Sequence, residues 1–219
     1  MESKIIEQLN SDYPIASKVL KKILSKGMLK STEIKTLLFL KNNLIISDFL
    51  ENYKNFTKED LSTIELFIIE NLDCKDRLFV SDLIEFAYEW NLSLPYEKCI
   101  RFLKKFSNDN TYVQLACIDY IFLNLKFQYI DEIYVALNAI LQNSRCNQSN
   151  QILAAFYLFR ITSKKEFLID LLDLVINGDT ENNKILLKNI LKINYNGPKY
   201  FEYYDILKSI VVPLEQNAS

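Results

Sequence analysis

The sequence predicts an all-α protein built from repeated helix pairs, and three observations lead to this prediction. Glycine and proline are scarce, at 3 and 4 residues among 219, which is too few for the tight turns of an all-β fold. Apolar residues recur at helical spacing along most of the chain. Helix start signals return at intervals of roughly 32 to 40 residues, the period of helical solenoids. We therefore expect a right-handed αα-superhelix of about five helix pairs, with an irregular α-helical bundle as the alternative.

The first part of the chain shows local helix start and stop signals. Pro14 stands near the first position of a predicted helix, and Gly27 follows its end. Ser47 is the expected N-cap of a shorter helix. Because terminal repeats are usually atypical, the poorer periodicity of residues 1–56 is interpreted as a cap. The predicted helices here cover residues 14–25, 31–41 and 47–54.

From Thr57 onward the apolar stripes are wider and the capping signals are clearer. Thr57, with an acidic residue three positions on, is close to a capping box. Asn108 or Asp109 is expected to cap a later helix. Ser163–Glu166 reads as a capping box, and Gly178 is expected to supply a left-handed residue after that helix. The predicted helices here cover residues 57–72, 76–90, 95–106, 109–125, 129–142, 149–161, 163–176, 181–193 and 199–211.

The repeats can be superposed on one another. Val113 aligns with Ile152, and Ala116 aligns with Ala155. Small residues in the middle of a helix let a neighbouring helix approach closely. A pattern of this kind recurs when each helix pair must stack on a copy of itself to bury its apolar face. We expect a single domain over residues 1–219. It would consist of the cap (1–56), the repeats (57–211) and a frayed tail (212–219).

The stretch N-D-N-T-Y-V-Q-L-A-C, from Asn108, resembles the second-helix signature of HEAT repeats, which reads roughly D-P-D-P-x-V-R-x-A-A. Asn108 replaces the usual aspartate, and Gln114 stands where the ladder-forming arginine would be. The copy at residues 147–159 has Leu153 at the arginine position. The resemblance covers residues 57–211 and implies a curved stack of helix pairs. The matching positions are Asn108, Asn110, Val113, Ala116 and Cys117, with Asn147, Ile152 and Ala155 in the copy.

Composition excludes several kinds of chemistry. The chain has no histidine, so it has no Ser-His-Asp or Cys-His nucleophile and no histidine-containing zinc site. Its three glycines cannot form a phosphate-binding loop. The cysteines at 74, 99, 117 and 146 form no C-x-x-C pair, so we expect reduced thiols in a cytoplasmic protein. We expect no enzyme activity, cofactor or resident metal, and no stretch is apolar enough to predict a membrane span.

Two features of one predicted helix invite a functional interpretation. Glu85 and Glu89 are four residues apart, so their carboxylates share a face. They could form an acid/base pair or half of a metal site, but we favour a solvated helix surface. Trp90, the only tryptophan, either packs between repeats, which we favour, or projects into a groove beside Tyr88 as a binding anchor.

The leading hypothesis is a non-catalytic module that binds another protein on the concave face lined by second helices. It would act as an adaptor, a scaffold or a bacterial immunity-type inhibitor. The alternative is a DNA-binding solenoid such as a HEAT-like alkylpurine DNA glycosylase, but a net charge of −2 and a pI of 5.4 argue against nucleic acid. The candidate binding residues are Tyr88, Glu89, Trp90, Gln114, Asp119, Tyr120, Tyr157, Arg160, Lys184 and Lys188.

Overall fold

The computed structural model describes residues 3–178 and 185–186, and within that part of the chain the regular elements are all helical. The prediction of an all-α fold is confirmed. The expected helices over 181–193 and 199–211 and the tail over 212–219 lie outside the described residues. The described helices are α1 (Ser3–Leu9), α2 (Tyr13–Leu24), α3 (Ser31–Leu38), α4 (Asn43–Asn52), α5 (Lys58–Asn71), α6 (Arg77–Glu89), α7 (Tyr96–Leu103), α8 (Thr111–Leu123), α9 (Ile130–Gln142), α10 (Gln148–Thr162) and α11 (Lys165–Asn177).

Consecutive helices pack as hairpins, and the hairpins follow one another in chain order. The pairs α1–α2, α3–α4, α5–α6, α7–α8 and α9–α10 are each in contact. The second helices form a continuous row, in which α4 contacts α2 and α6, and α8 contacts α6 and α10. Among the first helices, α3 contacts α5 and α7 contacts α9. The chain before residue 57 joins this arrangement, because α3 and α4 contact α5 and α6.

The row of second helices is the centre of the hydrophobic core. In α10 every residue from Ile152 to Phe159 is buried. In α8 the small side chains of Ala116 and Cys117 are buried together with larger neighbours. A helix that is apolar around its whole circumference is stable only when other helices cover it on several sides. The composition of α8 and α10 therefore requires the packing that the structure shows.

The capping of α5 follows the prediction closely. The Asp60 backbone N–H donates to Thr57 Oγ1 at 3.2 Å, and the Thr57 backbone N–H donates to Asp60 Oδ2 at 3.0 Å. These reciprocal bonds satisfy donors that the first turn of a helix leaves free. Burial tends to raise the pKa of Asp60, but hydrogen bonds from Thr57 and Ser31 outweigh it and lower that pKa.

Two predicted N-caps earlier in the chain are wrong. The N-cap of α4 is Asn42 rather than Ser47, so the helix begins earlier than expected. The N-cap of α8 is Asn110, because residues 108–110 form a turn of 3-10 helix before it. Asn110 is buried and donates to the Phe102 and Lys105 carbonyls at 3.0 Å each. The side chain of the actual N-cap residue, Asn110, therefore closes the end of the preceding helix instead of capping α8.

The junction between α10 and α11 also differs from the prediction. Ser163 is the left-handed C-cap of α10, with φ of 57°, and Lys164 is the N-cap of α11. Ser163 therefore makes no capping box with Glu166. Gly178 has φ of −98° rather than a left-handed conformation. A Cβ at Gly178 would meet the side-chain amide of Gln148, the flexible end of a long side chain that can move aside, so this contact does not by itself require glycine.

Buried amides join the hairpins at the level of Gln114. Gln114 Nε2 donates to the carbonyls of Leu103 and Lys105, at 3.0 and 2.7 Å, and so holds the end of α7. Asn150 of α10 donates to Gln114 Oε1 at 3.1 Å and to the Thr111 carbonyl at 3.0 Å. Since both side chains are buried, these bonds fix the register between neighbouring second helices.

The same device closes the next hairpin. Gln151 Nε2 donates to the carbonyls of Leu141 and Asn143, at 3.1 and 3.2 Å, just as Gln114 does for α7. The residue equivalent to Gln114 by its contacts is therefore Gln151. Leu153, which the superposition of sequences placed there, is a buried apolar side chain.

Replacement of Thr57 tests the capping box. We expect Thr57→Ala to lower the free energy of unfolding at neutral pH by about 1 kcal/mol, because the Thr57 hydroxyl no longer accepts from the Asp60 backbone N–H or donates to the Asp60 carboxylate. The lowered pKa of Asp60 means that its share of stability is present above the ordinary carboxyl pKa and is lost as pH falls through the folded value. The difference in unfolding free energy between the parent protein and Thr57→Ala should therefore become smaller in acid. Urea unfolding across this pH range measures it, with Thr63→Ala in the same helix as the control.

Replacement of Asn150 tests the link between α8 and α10. Asn150→Ala leaves the Gln114 amide oxygen and the Thr111 carbonyl without this donor in a buried environment. We expect the free energy of unfolding to fall by about 1 to 3 kcal/mol in urea titration. Gln142→Ala, at an exposed position, should have little effect. An equally small effect at Asn150 would show that the amide link does not stabilise the stack.

Candidate functional site

One face of α4, α6 and α8 is left uncovered by the described helices and carries most of their charge. There are two acidic residues on α4, three on α6 and one on α8. The only basic residue in these three helices is Arg77, whose guanidinium lies over the Phe102 ring with 5.6 Å to the centroid. We call this surface the acidic face. It consists of Asp48, Glu51, Asp82, Glu85, Glu89 and Asp119.

A groove of about 320 Å³ runs between α4 and α6 along the acidic face. Tyr13, from α2, donates its hydroxyl to Asp48 at 2.8 Å, and Ser47 donates to Asp82 at 2.6 Å. Leu44 stands at the rim and is 56% exposed. The groove therefore combines carboxylates with exposed apolar and aromatic groups.

Burial, together with neighbouring carboxylates, raises the pKa values of Asp82 and Glu85 in this groove. For Asp82 the largest cause is desolvation by the groove walls, followed by the charges of Asp76, Glu51 and Asp48, while the Ser47 hydrogen bond opposes the shift. The pKa of Glu85 is also raised, first by desolvation. Desolvation therefore disfavours the charged form of both groups, and the neighbouring carboxylates add to the shift.

A smaller pocket of about 210 Å³ lies between α6 and α8. Glu85, Tyr88 and Glu89 of α6 line one side, and Leu115 and Asp119 of α8 line the other. Ala116 forms part of the same wall, and its small side chain leaves the pocket open where a larger residue would fill it. The sequence pattern that allows close helix packing therefore also shapes this pocket.

Asp119 has the most perturbed carboxyl of the pocket. Burial is the main cause, and the charge of Glu85 adds to it, so the pKa of Asp119 is raised to about 6 even though the Tyr157 hydroxyl lies at hydrogen-bonding distance, 3.5 Å. The same carboxylate contributes to a raised pKa of Tyr88, after desolvation. A carboxyl that titrates near neutral pH in a cleft is typical of functional sites, although structural networks also produce such shifts.

The structure brings some predicted site residues together. Tyr88, Glu89 and Asp119 line the same pocket. Tyr157 is 5% exposed, stacks on Phe122 with ring centroids 3.7 Å apart, and reaches the pocket only through its hydroxyl. Arg160 lies over the Tyr157 ring at 5.8 Å, so it supports this end of the acidic face from α10.

Other predicted site residues have structural roles. Gln114 is 2% exposed and fully engaged in the links described above, so it does not line a binding surface as expected. Tyr120 is also 2% exposed; its hydroxyl accepts from the Leu94 N–H at 2.7 Å and donates to the Leu92 carbonyl at 3.0 Å. Both side chains hold loops and helix ends in place.

Trp90 packs in an aromatic cluster at the end of α6. Its ring stacks on Phe86 at 5.8 Å between centroids and meets Phe56 edge-on at 5.3 Å. Phe56 also contacts Tyr53 and Phe49, so the cluster connects α4 to α6. This placement agrees with the packing interpretation of Trp90 rather than with an anchor in a groove. Lys184 and Lys188 lie outside the described residues.

The sequence interpretation missed Tyr13, Leu44, Asp48 and Asp82 as site residues. The available signal was the absence of basic residues from α4 and α8, beside the acids of α6. That signal becomes meaningful only when these helices are known to be neighbours.

Neither a metal nor a membrane role gains support from the described residues. No group of three or more cysteine, aspartate or glutamate side chains in that part of the chain is placed to hold a metal ion. Among the described helices, none combines the length and the apolar character that crossing a bilayer demands. Comparison with models of known protein families, with curated proteins and with solved structures finds no match to this chain.

Replacement of Asp119 tests the electrostatics of the pocket. Because the folded-state pKa of Asp119 is raised to about 6, its ionisation disfavours the folded state, and the loss develops as pH rises from the ordinary carboxyl value to about 6. We expect Asp119→Asn to be more stable than the parent at neutral pH and to lose less stability between about pH 4 and pH 7. Urea unfolding at several pH values measures both effects.

The matched control is Asp131→Asn, which removes an exposed carboxylate from the first turn of α9. It changes the net charge equally but leaves the pocket intact. A pH dependence in Asp119→Asn identical to that of the parent would contradict the assigned environment of Asp119.

Proposed function

We propose that this protein is a non-catalytic binding module of the helical-repeat kind, acting as an adaptor, a scaffold or an immunity-type inhibitor. The observation that carries the proposal is the uncovered acidic face, where three neighbouring second helices form one continuous surface with a groove and a pocket. A row of parallel second helices offers a partner a long contact surface on rigid elements. The partner we propose is another protein that binds on this face.

The arrangement of helices supports a HEAT-like right-handed superhelix. Five hairpins follow one another, and neighbouring second helices are in contact from α2 to α10. The Gln114–Asn150 bond joins successive repeats at the position where the HEAT signature has its ladder-forming arginine. An amide pair there would keep the inter-repeat link without the charge.

No specific observation favours the DNA-binding alternative. Tyr120 and Trp90, aromatic residues that a DNA-binding solenoid could place against a base, are engaged inside the protein. The face that would meet the duplex is lined by carboxylates, which repel phosphate groups. A protein partner is therefore the better match to the surface.

Site-specific cross-linking tests the proposed binding face. We expect a photoreactive amino acid at Leu44, on the groove rim, to form adducts with another protein in extracts of the source organism, because this side chain is 56% exposed beside the carboxylates. The adducts are detected by gel electrophoresis and identified by mass spectrometry.

The matched control is the same photoreactive residue at Leu66, which is 62% exposed on α5, one of the first helices. Adducts that require the Leu44 position support the proposal. Adducts from Leu66 alone, or from neither position, would contradict binding at the acidic face.

A further inference from the structure

The pocket between α6 and α8 has hydrogen-bond acceptors that the described residues do not use. An ionised carboxylate can accept about four hydrogen bonds. Asp119 receives one from Tyr157, at the long distance of 3.5 Å. The ion pairs within the described residues involve neither Asp119 nor Glu85. Glu89, on the pocket wall, pairs with Lys54 at 3.5 Å, but Glu85 and Asp119 have no ion-pair partner among the described residues, so the pocket concentrates negative charge from two helices.

The walls of the pocket are suited to a flat, positively charged group. Tyr88 gives an aromatic surface on the α6 side, and Leu115 and Ala116 give an apolar surface on the α8 side. Guanidinium is planar, carries five donors and is weakly hydrated, so it can stack on a ring while it binds carboxylates. An ammonium group has a single strongly hydrated charge and gains less from such walls.

Negative charge continues along the acidic face beyond the pocket. From α4 to α8 the acidic residues lie on three successive helices, and the single basic residue of these helices is directed to Phe102 instead. A partner with complementary charge relieves the repulsion between these carboxylates and gains rate from long-range attraction. The described helices leave this side of the helix row uncovered, and this is the side that such a partner would contact.

We propose that the acidic face binds an arginine-bearing segment of a partner protein, with one arginine side chain held in the pocket between Glu85 and Asp119. This inference rests on the proposed function and names the chemistry of its partner. The guanidinium forms charge-assisted hydrogen bonds with both carboxylates and lies against the Tyr88 ring. The neighbouring groove, with Asp48 and Asp82, receives further positive charge from the same segment.

The geometry of the helix row sets the spacing of charges in the partner. Packed helices lie about 8 to 10 Å apart. A chain in the polyproline II conformation advances about 3.1 Å per residue and has three residues per turn, so arginines at every third position lie on one side and meet successive helices. The probe for a binding test is therefore a short fluorescent peptide with arginine at every third position and serine between. Peptides with lysine or glutamate in place of arginine are compared with it.

Binding of these peptides to the full chain is measured by fluorescence anisotropy at low and at physiological salt. We expect the arginine peptide to bind more tightly than the lysine peptide and the glutamate peptide not to bind. The double variant Glu85→Gln, Asp119→Asn should bind the arginine peptide at least about tenfold more weakly, because charge-assisted bonds are lost. Acidification from about pH 7 to about pH 5 should weaken binding by the parent, because Asp119 becomes protonated.

Other titratable and charged groups lie around Asp119 and affect the interpretation of the change in binding between about pH 7 and about pH 5. Glu85, Tyr88 and Glu89 face it from α6, and Tyr157 faces it from α10 with Arg160 over its ring. Carbon NMR of the Asp119 carboxyl separates its titration from that of the two glutamates. We expect the pKa of Asp119 to fall when the arginine peptide saturates the protein, since a positive charge favours the ionised carboxylate.

The matched control is Asp131→Asn, Glu132→Gln, which removes the same net charge from the exposed first turn of α9. Circular dichroism confirms that both double variants are folded. Equal loss of binding in the two variants, equal affinity for arginine and lysine, or an unchanged Asp119 pKa would overturn the arginine pocket. Tight binding of the arginine peptide that is lost only in the pocket variant supports it.

Cross-linking distinguishes failure of this inference from failure of the proposed function. If the pocket variant still forms adducts from the Leu44 position at the parent level, the face binds a protein without the arginine pocket. If the Leu44 position forms no adducts in the parent, the proposed function itself fails, whatever the peptides show.

Discussion

Packing between the second helices of successive hairpins is the constraint on which the rest of the structure depends. α8 lies between α6 and α10, and its residues Ala116, Cys117 and Ile121 are almost completely buried. No hairpin could bury these side chains by itself, so each depends on its neighbours. The buried amides of Gln114 and Asn150 fix the register between α8 and α10. Apolar surfaces can pack in several registers, whereas hydrogen bonds between specific groups form in only one.

This packing also determines where function can be located. Second helices that are covered on their flanks by one another, and by first helices behind, have a single face left for polar residues. The acids of α4, α6 and α8 are consequently concentrated on one surface, where they desolvate and repel one another. The carboxylates remain there at an energetic cost that a positively charged partner would remove.

Local signals in the sequence predicted the helices well and their junctions less well. Thr57 caps α5 as expected, because a capping box needs only residues of the first helical turn. Ser163 has the same kind of signal but ends α10 in a left-handed conformation, because α11 must turn back to pack on α10. The seven-residue α1 was not predicted, since a helix so short depends on its contact with α2.

The candidate site was predicted only in part, and the reason is geometric. Tyr88, Glu89 and Asp119 were each predicted as candidates, but helix periodicity does not specify which helices pack against each other. It also does not specify whether a polar side chain such as Gln114 points to solvent or binds the end of a neighbouring helix. The sequence by itself determined an all-helical chain with recurring helix pairs and no histidine chemistry, because composition and periodicity are local properties. Only the tertiary structure decided that carboxylates from three helices share one surface, because that surface is created by the packing of residues distant in sequence.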